Sequence, residues 1–278
     1  MADKNAALDA LDRMIEMDST NPRRVLVLGD GMTDVYVHGR LEYRCQEECP
    51  RIIETGCIMV PGGAANASRS ISNWRATTVF MASIGIVKTR YIAEEGDVRW
   101  CVFRSDNDDT ADFDLPSIRN EAMKILGTHP QDAVLFSDYD KGLLTPGFIG
   151  AVISACNTLS IPCVADAKRE PYLYRGALIK GNTDWYRRHR YEAGVITHGF
   201  RQPVMGGVEI GPNMSLVKCV NHIGAGDCFA SHLTLALAYG VSPVHAVTIA
   251  HSAARVYVQH PHNRPPMPDE VRADLALA

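Results

Sequence analysis

The tetrapeptide Gly224-Ala225-Gly226-Asp227 places two glycines and a carboxylate directly before a long apolar segment. Glycines let the backbone curl, so that N–H groups converge at the start of a helix, where the dipole stabilises an anion by about 0.3–2 kcal/mol. The aspartate has two interpretations, which the tetrapeptide alone does not separate. It is either a helix N-cap or a base beside an anion site, taking a hydroxyl proton during phosphoryl transfer.

A second glycine pair precedes another predicted helix, in the segment PGGAANASRSISNW at residues 61–74. Gly62 and Gly63 permit close approach of a ligand. Asn66, in the first turn of that helix, offers both a donor and an acceptor to a hydroxyl. Two glycine-led helix starts with polar side chains favour the phosphoryl-transfer interpretation.

The first predicted strand ends in GDGMTDVY, residues 29–36, which carries Asp30 and Asp34. Its Gly29-x-Gly31 resembles the beginning of a dinucleotide-binding fingerprint. However, Asp34 stands at the third glycine position and no helix is predicted to follow. The pattern therefore argues against a dinucleotide site.

Strand-like and helix-like segments alternate along most of the chain. Short Val/Ile/Leu runs bounded by Gly, Asp and Pro predict an α/β fold with a mostly parallel sheet and helices on both faces. Strands are predicted in RRVLVLGD, TTVFMASIG, DAVLFSD, IPCVADAK, ALIKGN, AGVITHG and SLVKCV, and helices at about 63–74, 147–159, 225–240 and 243–258. Residues 35–60 and 86–106 are extended and polar, which predicts a small β-lid within one domain at 23–278. Residues 1–22 precede it as a short amphipathic helix.

Composition narrows the class of protein. A net charge of −4 over 278 residues gives no electrostatic case for nucleic-acid binding. The eight cysteines form no C-x-x-C pair, and the histidines lack metal-site spacing, so no structural metal is predicted. The N-terminus lacks the pattern of a secretory signal and no apolar run approaches a membrane span, which predicts a cytoplasmic protein that does not contact membranes.

The order of the motifs GDxMxD, PGGAAN, SDYxKG and GAGD resembles the ribokinase-like, or phosphofructokinase B-type, carbohydrate kinases. The resemblance covers about residues 23–258. Within that group the chain is most similar to the D-glycero-D-manno-heptose 7-phosphate kinases. The segments that carry this closer similarity are VLVLGDGMTDVYVHG, Lys88-x-Arg90, Arg104-x-Asp106 and FSDYDKGLLT at 136–145.

The resemblance implies a kinase that uses ATP and Mg²⁺ and phosphorylates a sugar hydroxyl by direct in-line transfer. Asp227 would be the base, and the N–H groups of Gly224, Ala225 and Gly226 would form the anion hole for the γ-phosphate. The sugar would be held by Asp34, Gly62, Gly63 and Asn66. Candidates for a phosphate already on the substrate are Lys88, Arg90, Arg104 and Lys141 beside Asp138, each of these cations having solvated surface charge as its alternative interpretation. Asn182 would lie near the triphosphate and its magnesium, with Thr197 and Gly199 bordering the nucleotide. A homodimer through the lid is also implied.

The sequence departs from the family pattern at several positions. Asn221 and His222 replace the usual Asp-Thr before the glycine turn, and Trp185 replaces the glutamate of the Asn-x-x-Glu motif that begins at Asn182. The chain is also shortened between Gly85 and Lys88 and between Trp185 and Val195. These departures keep open a catalytically weak sugar- or nucleotide-binding protein on the same fold. A nucleoside kinase is the nearest alternative within the fold itself.

Overall fold

A computed structural model describes residues 4–42, 49–96, 98–108 and 114–278, with the backbone alone for 81–84. Its centre is a ten-stranded mixed sheet with the order β10-β9-β8-β7-β6-β5-β1-β3-β4, in which β2 pairs with β1. The strands are β1 (Arg24–Glu42), β2 (Arg51–Gly63), β3 (Thr77–Glu95), β4 (Val98–Asn107), β5 (Ala133–Ser137), β6 (Cys163–Asp166), β7 (Leu178–Asn182), β8 (Val195–His198), β9 (Arg201–Met205) and β10 (Val208–Glu209). The helices are α1 (Lys4–Thr20), α2 (Ala64–Ser72), α3 (Leu115–Thr128), α4 (Pro146–Leu159), α5 (Thr183–His189), α6 (Ala225–Ala238), α7 (Pro243–Tyr257) and α8 (Pro268–Leu277), with a 3₁₀ turn at Pro171–Tyr174.

The parallel strands β1, β3 and β5–β8 form the middle of the sheet. Val25, Leu26, Val27 and Leu28 of β1 are fully buried, because successive side chains enter the two opposite layers of core. One layer lies under α1, α2, α6, α7 and α8, and the other under α3 and α4. The predicted α/β class with helices on both faces is confirmed.

Four strands extend beyond this helix-covered body. β1 continues to Glu42 and β3 to Glu95, pairing in parallel as far as Gly39 and Ala93. β2 adds antiparallel to β1, and β4 adds antiparallel to β3. We call residues 35–42, 51–61, 86–95 and 98–107 the outer strand region. Residues 43–48 and 97 of the two predicted lid segments, and residues 1–3 of the predicted N-terminal extension, lie outside the described residues.

The helix predicted at the N-terminus packs on the domain through α7 and α8. Leu11 and Met14 are buried there. The Asp18 carboxylate accepts hydrogen bonds from the Tyr239 hydroxyl at 2.5 Å and from the Arg75 N–H at 2.8 Å. These contacts join α1 to the loop after α2 and to the end of α6.

One predicted strand is wrong. SLVKCV, residues 215–220, has no strand structure, and the sheet ends at β10. The segment lies along α7 instead, where Arg255 donates to the Ser215 carbonyl at 2.6 Å and Val220 N–H donates to the Val258 carbonyl. Leu216 is 82% exposed, so this apolar residue does not belong to the core as a buried strand would require.

None of the helices in the described part of the chain is long and apolar enough to cross a bilayer.

Candidate active site

A cavity of about 480 Å³ opens where β6, β7 and β8 end beside the first turn of α6. Its volume is within the range of small-molecule sites. Asp166 ends β6, Asn182 ends β7, and the tetrapeptide 224–227 faces them from α6. This position follows from the topology, since the carboxyl ends of parallel strands meet at one edge of the sheet.

The turn before α6 requires glycine at position 224. Gly224 is the N-cap of α6 and has φ +83°, which disfavours any residue with a Cβ. A Cβ there would lie 2.3 Å from the Tyr257 hydroxyl and 2.5 Å from Asn66 Nδ2. The N–H of Ala225 donates a long hydrogen bond of 3.3 Å to the His222 carbonyl, so it is partly engaged.

Asp227 is therefore not the cap of α6. Its carboxylate is buried and accepts a hydrogen bond from the Tyr139 hydroxyl at 2.6 Å, and a longer one from Asn66 Nδ2 at 3.3 Å. Burial raises the pKa of Asp227 to about 6, as does the nearby charge of Asp166. Tyr139, Lys168 and Asn66 act in the opposite direction. A carboxyl group in this state accepts protons readily near neutral pH.

Among the charged residues of the cavity that the sequence analysis missed, three lie together at Asp166. Lys180 Nζ lies 3.0 Å from Asp166 Oδ1 and 3.3 Å from the Gly226 carbonyl, and the ion pair is buried. Lys168 lies 3.9 Å from the same carboxylate and 5.0 Å from the ring centre of Tyr139. All three charged residues stand at the ends of strands predicted in IPCVADAK and ALIKGN. The convergence of parallel strand ends was the available signal for them.

The predicted nucleotide residues Asn182, Thr197 and Gly199 all line the cavity. Asn182 also caps α5, because its side-chain oxygen accepts the N–H of Trp185 at 2.9 Å. Trp185 itself is a core residue. Its ring packs against Gly181, and its Nε1 donates to the Arg169 carbonyl at 2.8 Å.

Magnesium, the ion implied by the resemblance, requires oxygen ligands. Among the described residues no group of three His, Cys, Asp or Glu side chains could hold one. Asp166 Oδ2, however, is buried beside the cavity and has no hydrogen-bond partner in the described part of the chain. Mg²⁺ usually retains water and binds one or two carboxylates together with substrate phosphates. Asp166 therefore fits an ion that arrives with a nucleotide.

Of the predicted sugar residues, Asn66 contacts Asp227 and the Gly224 carbonyl, whereas Asp34 packs against Gly62. A Cβ at Gly62 would lie 2.5 Å from Asp34 Oδ2, and Gly63 has φ +55°. Asp34 is buried, with its Oδ1 2.6 Å from Arg90 and its Oδ2 3.2 Å from Asn263 Nδ2.

Hydrogen bonds through the Asn263 side chain connect Asp34 to Asn221, one of the departures from the family pattern. The side-chain oxygen of Asn263 accepts hydrogen bonds from the Tyr36 hydroxyl and from Asn221 Nδ2, both at 3.1 Å. Asn221 is thus connected to Asp34 through one amide. Asn263 has φ +54°, and sequence reasoning gave no sign of its position.

The predicted phosphate-binding cations are all paired with carboxylates. Arg104 contacts Asp106 at 2.5–2.6 Å through two nitrogens, and Lys88 lies 3.3 Å from the same carboxylate. Lys141 lies 2.6 Å from Asp108. These pairs bring the outer strands and the loop after β5 together.

Asp138, predicted beside Lys141, lies apart from its ammonium group. Its carboxylate is fully buried and contacts the Tyr174 hydroxyl and Arg169, the latter at 2.7 Å. It also accepts the N–H of Asp140 at 2.8 Å. Burial raises the pKa of Asp138. These contacts hold the 138–142 turn against Tyr174 and Arg169.

Comparison with known proteins agrees with the geometry. No protein-family model matches the chain. It is similar to the bifunctional protein HldE of Caulobacter sp. strain K31, with 28% identity over 84% of this chain and 59% of that protein. HldE of Granulibacter bethesdensis is 27% identical over 91% of this chain and 64% of that protein. The chain thus spans less than two thirds of the length of these relatives.

Solved structures show the same fold. Phosphofructokinase-2 from Escherichia coli, in complex with potassium, superposes with a TM-score of 0.66 at 15% identity, covering 91% of this chain and 98% of that one. Arabidopsis thaliana ribokinase, complexed with ribose and ATP, gives 0.63 at 15% identity, covering 92% and 100%. The chain therefore has the ribokinase-like fold and is similar in sequence to HldE proteins, which confirms the resemblance predicted from its four motifs.

Proposed function

We propose that the chain is an ATP-dependent carbohydrate kinase that phosphorylates a hydroxyl of a sugar phosphate, with heptose 7-phosphate as the first candidate. The observation that carries the proposal is the buried Asp227 carboxylate beside the glycine turn of α6, inside a cavity of nucleotide size. HldE similarity and the ribokinase-like fold support it.

In this proposal Asp227 takes the proton of the acceptor hydroxyl as phosphoryl transfer proceeds. The N–H groups at the start of α6 and the ammonium group of Lys180 would stabilise charge on the transferring group, since both face the same cavity. A magnesium ion held by Asp166 would neutralise charge on the nucleotide phosphates. Asn182, Thr197 and Gly199 would border the nucleotide.

Asp34 and Asn66, with Gly62 and Gly63, would hold the sugar on the opposite side of Asp227. Lys88, Arg104 and Lys141, already gathered by Asp106 and Asp108, would bind a phosphate on the substrate by exchanging partners.

We further propose that the outer strand region is a lid and that it pairs with a second copy of the chain. Apolar side chains are exposed there, with Met59 at 70%, Val98 at 62% and Phe103 at 61%. Contact with a partner would cover them and the exposed strand edges.

A second candidate function is binding of sugar or nucleotide without turnover. Trp185 in the core and Asn182 engaged as a helix cap favour it, because neither is arranged as in the Asn-x-x-Glu motif.

The test is ADP release from Mg-ATP across a panel of sugars, sugar phosphates and nucleosides, heptose 7-phosphate included. For Asp227→Asn we expect turnover to fall by about 10²–10⁴-fold while ATP affinity is retained. Asp12→Asn, which alters a surface ion pair with Arg272, is the matched control. Full activity of Asp227→Asn would rule out the assigned base. Binding without ADP formation by the unaltered protein would favour the second candidate.

A further inference from the structure

A tyrosine contacts the carboxylate that the proposed function uses as its base. The Tyr139 hydroxyl lies 2.6 Å from Asp227 Oδ1, the length of a charge-assisted O–H···O⁻ hydrogen bond. Asp227 Oδ2, in contrast, accepts a long hydrogen bond of 3.3 Å from Asn66. The two oxygens are therefore unequal before any substrate arrives.

The turn that carries Tyr139 is held firmly in place. The N–H groups of Tyr139 and Lys141 both donate to Asp30 Oδ2, at 3.0 and 3.1 Å. Asp30 is fully buried at the point where β1 leaves the helix-covered body. The position of the phenol is thus set by the hydrogen bonds of its turn to Asp30 of β1, and not by its contact with Asp227 alone.

We propose that Tyr139 is a positioning residue for Asp227, fixing Oδ1 with its phenol so that Oδ2 faces the acceptor hydroxyl. This inference rests on the proposed role of Asp227 as base. A carboxylate oxygen has two lone pairs, so Oδ2 can accept a substrate hydroxyl while it keeps the Asn66 contact.

The phenol also favours the ionised carboxylate, because it donates to the charged form. It acts within a set of other groups. Asp166 at the end of β6 raises the pKa of Asp227, whereas Lys168 and Asn66 lower it. Lys180 reaches the carbonyl of Gly226, and Cys228 and Tyr257 lie on the α6 and α7 sides. Tyr139 is the member of this set that donates a short hydrogen bond to the carboxylate itself.

The experiment is a titration of the Asp227 carboxyl in the full chain without substrate, by ¹³C NMR of labelled aspartate. The Asp227 resonance is identified by its absence in Asp227→Asn. In Tyr139→Phe we expect the titration midpoint to move to higher pH. Replacement of Tyr139 by 3-fluorotyrosine, a stronger donor, should move it to lower pH. Tyr186→Phe, which removes a hydroxyl that contacts Glu192 at the surface, should leave it unchanged.

A midpoint that stays the same in both Tyr139 variants would overturn the inference. The fluorotyrosine protein keeps the native shape and hydroxyl, so it tests the idea even if Tyr139→Phe unfolds. Where turnover is measurable, the acid limb of kcat/KM should move with the NMR midpoint. Because the titration needs no substrate, its outcome is separate from failure of the proposed kinase activity.

Discussion

The cavity at the strand ends and the outer strand region both bury charged side chains, but they satisfy them differently. In the outer region Lys88 and Arg90 pair with Asp106 and Asp34, and Asp34 has a second partner in Asn263. In the cavity, Asp166 has one oxygen that no described residue contacts by a hydrogen bond.

The two regions therefore differ in whether their charged groups are already paired before a ligand binds. The cations of the outer region are neutralised in advance, so a ligand there must replace a carboxylate. The cavity, by contrast, keeps an unsatisfied oxygen at Asp166 and a carboxyl group with a raised pKa at Asp227. Such imbalance is typical of sites that act on a ligand rather than only hold it.

The strongest test of the comparison removes the buried cation that pairs with Asp166 in the cavity. Lys180→Met leaves Asp166 buried without its partner at 3.0 Å, which should cost about 3–5 kcal/mol of unfolding free energy, as measured in urea. Lys218→Met, at an exposed position, is the control. A loss as small as that of the control would mean that the pair does not hold these strand ends together.

The pH dependence of the cavity gives a smaller effect with a definite sign. Since the pKa of Asp227 is raised to about 6, kcat/KM should fall about tenfold per pH unit well below that value if Asp227 is the base we propose, because the carboxylate becomes protonated. Stability should change in the opposite direction. The folded state binds this proton more tightly than the unfolded state, so the stabilising contribution is complete below pH 3.8 and is lost as pH rises through about 6.

Activity profiles and unfolding curves of the unaltered protein and Asp227→Asn, recorded across this interval, check both signs. An equal pH slope of stability in the two proteins would exclude Asp227 as the titrating group.

The smallest expected change is on the outer side. Arg104 is 46% exposed at its side chain, so Arg104→Met should change the unfolding free energy by about 0–1 kcal/mol. If Arg104 binds the substrate phosphate, KM for the sugar phosphate should rise while kcat changes little. Arg99→Met removes a cation from the same strand that pairs with Glu94, and it is the matched control. Equal KM values in the two variants would argue against a phosphate site at Arg104.

The sequence was sufficient to predict the α/β class and the glycine turn before α6, because hydrophobic runs and glycines carry those signals locally. It was not sufficient for Tyr139, Asp166 and Lys180, which meet Asp227 or its turn only through the packing of strand ends. Periodicity gives no direction for a side chain in a turn. The resemblance implied Asp138 and Lys141 beside each other, whereas the Asp138 carboxylate pairs with Arg169.

The sequence showed that Trp185 and Asn221 depart from the family pattern, but it did not show which residues these two side chains contact. Trp185 fills core beside Gly181, and Asn221 reaches Asp34 only through Asn263, 42 residues along the chain from Asn221. Contacts of this kind depend on tertiary packing, which no local pattern encodes. The SLVKCV prediction was wrong for a related reason, since strand propensity depends on tertiary context and this segment makes its hydrogen bonds with α7 and the residue after it.

The continuity of β1 and β3 has a mechanical consequence. Both strands pass from the helix-covered body into the outer region, and their pairing shifts register only once, between Asp30 and Met32. The two regions are therefore joined by a hydrogen-bonded ribbon rather than by a flexible linker. Any rotation of the outer strands must bend that ribbon, and the irregular step beside Asp30 is where its stiffness is lowest. Bending there would displace the Asp30 carboxylate, which anchors the Tyr139 turn. Movement of the outer strands would therefore change the position of that turn beside the cavity.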